Sequence, residues 1–214
     1  MPIEGLVAGE DGRTRCWWCV TDPLYRDYHD REWGRPVADD VRLFEKLTLE
    51  GFMSGLSWLT ILRKRENFRR AFKGFEPAVV ARFKERDVER LLGDAGIVRH
   101  RGKIESTINN ARRYRELVDE FGSLASYAWQ FESDPASRPK KLTYGILMET
   151  TASAESKAMS KDLRKRGWSF VGPTTVYSFM EAMGLVDDHL DGCHVRAAVE
   201  HDRARFKRPS VGRI

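Results

Sequence analysis

An all-helical fold is what this sequence of 214 residues predicts, on three observations. Apolar residues recur at three- and four-residue intervals, no stretch alternates with the period of a strand, and N-cap and glycine stop signals bracket the periodic segments. With 41% hydrophobic and 32% charged residues, the chain is too apolar for intrinsic disorder and too charged for a membrane protein. The length suits one domain, placed here over residues 15–193 between a flexible N-terminus (1–14) and a basic tail (194–214) that is expected to be mobile.

Each element has its own signal. Asp22 as N-cap and Pro23 at the first helical position open a short helix that Gly34 and Pro36 close. Tyr25, Tyr28, His29 and Glu32 then fall at i, i+3, i+4 and i+7, on one face. Val41 to Leu49 and Leu56 to Phe72 carry helical apolar spacing, with Gly51 and Gly55 between them. Asp87 is the expected cap of a helix to Leu92, and Gly93 and Gly96 force a turn. The next helix keeps its period from Ile104 through Ile108, Ala111, Tyr114, Val118 and Phe121 to Gly122. Residues 123–150 are less regular. Ser153 opens a helix that ends at Gly167, and Pro173 opens another that Gly184 closes. No apolar run approaches the ~20 residues of a membrane span, and the first residues lack a signal-peptide layout, so a cytoplasmic protein is expected.

Three features can carry chemistry. The first is a set of thiols and imidazoles. Three cysteines make a disulfide framework unlikely in a chain without a secretory signal, whereas Cys16, Cys19, His29, His189 and Cys193 are the donor types of a structural zinc. Five candidates for four places leave Cys19 or His29 surplus, and buried apolar thiols with core histidines are the plainer account of any one of them.

The second feature runs from Leu91 to Ile104. A short helix, a glycine turn and a basic helix start form a helix-hairpin-helix over about 87–121. Its amides at Gly96, Ile97 and Val98, with Arg99, Arg101 and Lys103, suit DNA phosphates. The net charge of +5 is compatible with a polyanionic partner, and an ordinary hairpin with a solvated basic face is the bland alternative. The third feature is Glu50, close to Trp58 and downstream of Trp18, Tyr25, Tyr28 and Trp33. Rings that stack on a flipped-out base, with a carboxylate at its polar edge, would use these residue types, although an aromatic core with a surface glutamate would too.

Taken jointly, these segments resemble the constitutive 3-methyladenine DNA glycosylase I family. The resemblance lies in Arg15-Cys16, Asp22 to Tyr25, Tyr28-His29-Asp30, Glu32-Trp33-Gly34, Leu49-Glu50-Gly51, Ser54 to Trp58 and Lys64 to Asn67. It continues in Asp94 to Ile104, Lys165 to Gly167, Phe170 to Gly172, Tyr177 to Met180 and Gly184 to His189, so it covers about Cys16 to Cys193. It implies an all-α helix-hairpin-helix DNA glycosylase whose structural zinc clamps the N- and C-terminal regions together, through Cys16, His29, His189 and Cys193.

It also implies monofunctional hydrolytic release of 3-methyladenine from double-stranded alkylated DNA by a monomer. Glu50 would be the catalytic residue, and Trp18, Tyr25, Tyr28, Trp33, Trp58 and Ser178 would line the base pocket. Asp119 and Glu120 are not promoted to the aspartate role of related glycosylases. The sequence departs from the family in two places: Met53 stands where a glutamine is usual, and Cys19 is an extra thiol. No lysine is expected in the pocket, so water rather than a Schiff base is expected to release the base. A non-catalytic DNA-binding protein with the same fold is the main alternative. A zinc hydrolase is disfavoured, because four protein ligands leave no open position.

Overall fold

The computed structural model describes residues 3–210 and is predominantly helical. At the N-terminal end it departs from expectation. Leu6–Ala8 (β1) and Thr14–Cys16 (β2) pair antiparallel, Leu6 opposite Cys16 and Ala8 opposite Thr14. Three-residue strands are too short to announce themselves by alternation. What holds the hairpin down is Arg15, only 2% exposed, whose guanidinium bonds Asp11 at 2.6 Å and Asp30 at 2.8 Å. Residues 3–14, expected to be a flexible N-terminus, are thus tied to the helical body by these contacts.

Helix α1 (Pro23–Arg31) begins as predicted, with the Asp22 carboxylate accepting from the Leu24 amide. Helix α2 (Asp40–Met53) is the centre of the molecule: every residue from Leu43 to Phe52 is buried, charged ones included. A helix buried on all sides packs against neighbours on all sides. Around α2 stand α3 (Trp58–Ala71), α6 (Arg101–Phe121), α7 (Leu124–Ala128) and α10 (Pro173–Ala182). Asp40 fixes the N-terminal end of α2, since its carboxylate accepts from the Leu124 and Ala125 amides and from the Tyr114 hydroxyl.

Between α3 and α6 lie α4 (Pro77–Val80) and α5 (Glu85–Gly93). Asp87 is not the cap of α5. Lys84 occupies the cap position, and Asp87, one turn in, accepts from the Lys84 amide at 3.0 Å. Gly122 stops α6 in the left-handed conformation at φ +83°, as its position predicts. The less regular stretch contains α8 (Tyr144–Glu149), followed by α9 (Ala154–Lys165) with Ser153 as its cap.

The expected tail contains a further helix. Arg196–Arg205 forms α11, anchored by fully buried Val199 and by an Arg35–Asp202 ion pair. One apolar anchor and a salt bridge give little periodicity for a sequence to display. The last four residues of that tail, 211–214, and residues 1–2 at the other end lie outside the described residues. Among the described residues no helix is long and apolar enough to cross a membrane.

A candidate base pocket and a buried thiol–imidazole cluster

Helices α1, α2, α3 and α10 converge on a cavity of about 160 Å³. It is lined by Trp18, Tyr25, Tyr28, Trp33, Glu50, Trp58 and Ser178, the whole set expected from sequence, together with Lys46, Met53 and Glu181. The aromatic wall is continuous. Trp18 meets Tyr25 at 4.8 Å and Trp33 at 5.0 Å between ring centroids, and Tyr28 meets Trp58 at 5.4 Å. A dry cavity of comparable size accepts a benzene ring, so this one is scaled to a small heteroaromatic molecule.

Lys46 is the principal surprise, because no lysine was expected here. Its Nζ lies 2.6 Å from Glu50 Oε1, donates to the Tyr28 hydroxyl at 2.8 Å, and sits 3.1 Å from the centroid of the Trp58 ring. Only 7% of the Lys46 side chain and 3% of that of Glu50 are exposed. Burial pushes the Glu50 carboxyl up and the Lys46 ammonium down, and their attraction opposes both shifts. Glu50 Oε2 has no hydrogen-bond partner. The sequence contained the necessary signal, since Lys46 precedes Glu50 by four residues on one helix. Glu181, one turn after Ser178, was equally legible. Its carboxyl is raised well above the ordinary value by burial, then by Asp188 and Glu50. Asp188 is itself buried, accepting from the Tyr177 hydroxyl at 2.6 Å and pairing with Arg138.

Directly behind the aromatic wall, Cys16, His29 and Cys193 place their donor atoms within 4.8 Å of one another, all buried. Cys193 Sγ is 3.5 Å from His29 Nε2. The Cys16 thiol, then His29, pull the Cys193 thiol down to about 3, and the same contact raises Cys16. His189 stands beside this trio, its ring 4.9 Å from that of His29. Both imidazoles turn Nδ1 to a carboxylate: His29 to Asp30 at 2.8 Å and His189 to Asp187 at 2.7 Å. His189 Nε2 is left buried without a partner. An orphaned ring nitrogen beside a thiol–imidazole trio fits a metal ligand, as does the carboxylate behind each ring. Cys19 is buried nearby, but its thiol donates to the Cys16 carbonyl at 3.2 Å. Gly34 makes room for this arrangement: at φ +81°, a Cβ there would lie 2.7 Å from the His189 ring.

The hairpin between α5 and α6 places the predicted phosphate contacts unevenly. Ile97 is buried in the core and Val98 packs against it. The amides of Gly96, Ile97 and His100 are used within the turn, by Asp94 and by the Val98 carbonyl, which leaves those of Val98 and Arg99. Arg99 is exposed. Arg101 is committed to Glu85 at 2.7 Å, to Glu105 at 3.3 Å and to Glu89. Lys103 is not a surface cation: its Nζ is buried and caps the end of α2, donating to the Phe52 carbonyl at 2.9 Å and the Ser54 carbonyl at 2.6 Å. A lysine that satisfies helix-end carbonyls has the sequence signature of one that meets a phosphate.

The comparisons with known proteins agree with this geometry. The family model for methyladenine glycosylase matches residues 18–197. DNA-3-methyladenine glycosylase 1 of Escherichia coli K12 is 48% identical over 179 residues, covering 84% of this chain and 95% of the relative. A crystal structure of 3-methyladenine DNA glycosylase I superposes with a TM-score of 0.77 at 46% identity, covering 84% of this chain and 98% of the other. A variant of a 3-methyladenine DNA glycosylase I, solved in complex with 3-methyladenine, gives 0.76 at 38% identity, with 83% and 94% covered.

Proposed function

This chain belongs to the methyladenine glycosylase family, and from that membership we infer its reaction: it is a DNA-3-methyladenine glycosylase, which hydrolyses the N-glycosidic bond of 3-methyladenine in alkylated DNA. One observation carries the assignment to a site. A buried carboxylate, Glu50, with one oxygen free of partners, stands in an aromatic cavity scaled to a heterocyclic ring.

The chemistry suits those residues. Methylation at N3 gives adenine a positive charge and weakens its bond to the sugar, so the leaving group needs little acid assistance. The protein's task is selection of the cation and stabilisation of the positive charge that develops on the sugar. Electron-rich Trp18, Trp33 and Trp58 attract a cationic ring, and the Glu50 carboxylate adds a Coulomb attraction that unmodified adenine forgoes. Glu50 acts here as an electrostatic and hydrogen-bonding group. The base reaches this depth by flipping out of the duplex. Release is monofunctional, with water completing the hydrolysis. Although Lys46 lines the pocket, its Nζ is held by Glu50, Tyr28 and Trp58, which supports a role at the base rather than as a nucleophile toward the sugar.

The α5–α6 hairpin, read as a helix-hairpin-helix, holds duplex phosphate through the Val98 and Arg99 amides and the Arg99 side chain. Cys16, His29, His189 and Cys193 would hold a structural zinc. It would supply a cross-link between the two ends of the domain and take no part in the hydrolysis, since four protein ligands close its shell. The protein would work as a cytoplasmic monomer.

The test is direct: incubate the protein with methylated duplex and identify the released bases by chromatography. Wild type releases 3-methyladenine and leaves an uncut abasic strand, whereas Glu50→Gln lowers kcat/KM by about 100-fold. Borohydride trapping of a protein–DNA adduct would overturn the monofunctional mechanism. No released base at all would favour the non-catalytic DNA-binding reading.

A further inference from the structure

We propose that Lys46 is a specificity-determining residue of the base pocket, an internal cation whose ammonium holds the position of a stacked, positively charged base and must leave before one can stack on Trp58. The inference rests on reading the cavity as the base pocket.

Three contacts define that position, and each is one a methylated base would need. Lys46 Nζ takes one oxygen of Glu50 at 2.6 Å, the Tyr28 hydroxyl at 2.8 Å, and the face of Trp58 at 3.1 Å from the ring centroid. A ring stacked on Trp58 would lie ~3.5 Å above it, in the volume the ammonium now fills. The cavity of about 160 Å³ is the space beside the ammonium, so a ring can occupy it with Lys46 in place but cannot lie on that face of Trp58 until Nζ moves.

Lys46 also has somewhere to go. It borders a second, smaller cleft of about 30 Å³ that Tyr28 and Trp58 also line, with Glu32 and Glu45 among its carboxylates and Arg42, Arg65 and Arg69 among its cations. Those carboxylates are paired with Arg65 at 2.7 Å and Arg69 at 2.8 Å, so a displaced ammonium would join two existing ion pairs. Entry of 3-methyladenine from DNA is then an exchange of one cation for another at Glu50, and the carboxylate stays compensated throughout. A neutral base offers no charge in return and would leave Glu50 buried without a counter-ion, which is costly. Lys46 thus raises the threshold for every base and raises it most for unmodified ones.

The test measures binding of 3,9-dimethyladeninium, which keeps the positive charge because its N9 is alkylated as it is in DNA, and of neutral 9-methyladenine by calorimetry to wild type, Lys46→Met, Lys46→Gln and Lys46→Arg. The two neutral variants should bind the cation about two- to thirtyfold more tightly than wild type, the range a displaced cation–π contact spans. They should also bring 9-methyladenine into measurable binding. Lys46→Arg, which keeps the charge, should bind no more tightly than wild type. If neither neutral variant gains affinity, or if Lys46→Arg gains as much as they do, the proposal is overturned.

Should Lys46→Met fail to fold, Lys46→Gln decides, because its amide can still bond Glu50 and Tyr28. A crystal structure of the wild type with 3,9-dimethyladeninium decides independently of any variant. Lys46 turned away from Trp58 supports the proposal, and Lys46 still on the ring ends it. Failure here is separable from failure of the functional reading: wild type that releases 3-methyladenine from DNA keeps the glycosylase assignment whatever Lys46 does.

Discussion

Replacing Glu50 with glutamine should cost stability as well as activity, and the size of the cost follows from Lys46. At 2.6 Å and an effective dielectric of about 20, the pair's gross attraction is about 6 kcal/mol, offset by several kcal/mol for desolvating each ion. The net worth of the intact pair is therefore small, but removal of one partner strands the other. Glu50→Gln leaves a buried ammonium with the Tyr28 hydroxyl and the Trp58 face, which together compensate part of the loss. We expect a destabilisation of about 2–3 kcal/mol, and a Tm lower by about 4–12 °C for a chain of this size.

The double variant Lys46→Met, Glu50→Gln removes the stranded charge as well. It should recover to within about 1 kcal/mol of wild type, well below the sum of the two single costs. Calorimetric melting and urea titration of the four proteins close the cycle. Strictly additive effects would refute the reasoning, because they would mean that the two charges are each solvated independently and that the pair is not buried as described.

Three further outcomes follow from the same geometry. Freshly purified protein should carry about one equivalent of zinc, lost in Cys16→Ser and His189→Ala and kept in Cys19→Ser; metal analysis that reverses this pattern would exchange His189 for Cys19 as the fourth ligand. Excision should fall on the acid side at a pH above 4.5, the ordinary value, because burial raises the Glu50 carboxyl and its proton returns early as pH drops. The same raised value means that Glu50 contributes less to stability as pH rises from 4.5 through its folded pKa, and a Glu50→Gln profile should lack the acid limb. Finally, Arg99→Glu should weaken binding to every duplex alike and reduce the salt slope by about 1 or more, while Arg101→Glu should do less because Glu85, Glu89 and Glu105 already occupy Arg101.

Much of this was legible before any coordinates. Caps at Asp22 and Ser153 and stops at Gly122 and Gly184 have local causes that act through a few neighbouring residues, so the sequence alone displays them. The pocket residues became readable through their joint pattern, since no single tryptophan or tyrosine declares which way it faces. Partnership across the fold was not legible. Lys103 and Arg101 carry the charges of phosphate ligands, yet helix-end carbonyls claim one and three glutamates claim the other. The N-terminal hairpin and α11 are held by tertiary anchors, Arg15 and Val199, that leave almost no periodic trace.

Tyr28 and His29 are consecutive residues of one short helix, the first facing the base pocket and the second the thiol cluster. Trp18 and Trp33 back onto His29 as well, with ring centroids 5.1 Å and 6.1 Å away. The two sites therefore share a party wall barely one side chain thick. Damage to the thiols, by oxidation or chelation, would be felt as misalignment of the pocket's aromatic lining while the distant helices α4 to α7 still stand. Such a protein would stop working before it stopped being folded. The converse holds for anyone redesigning the pocket: substitutions on α1 that reshape the space for a base also reset the footing of His29, so the two sites cannot be tuned one at a time.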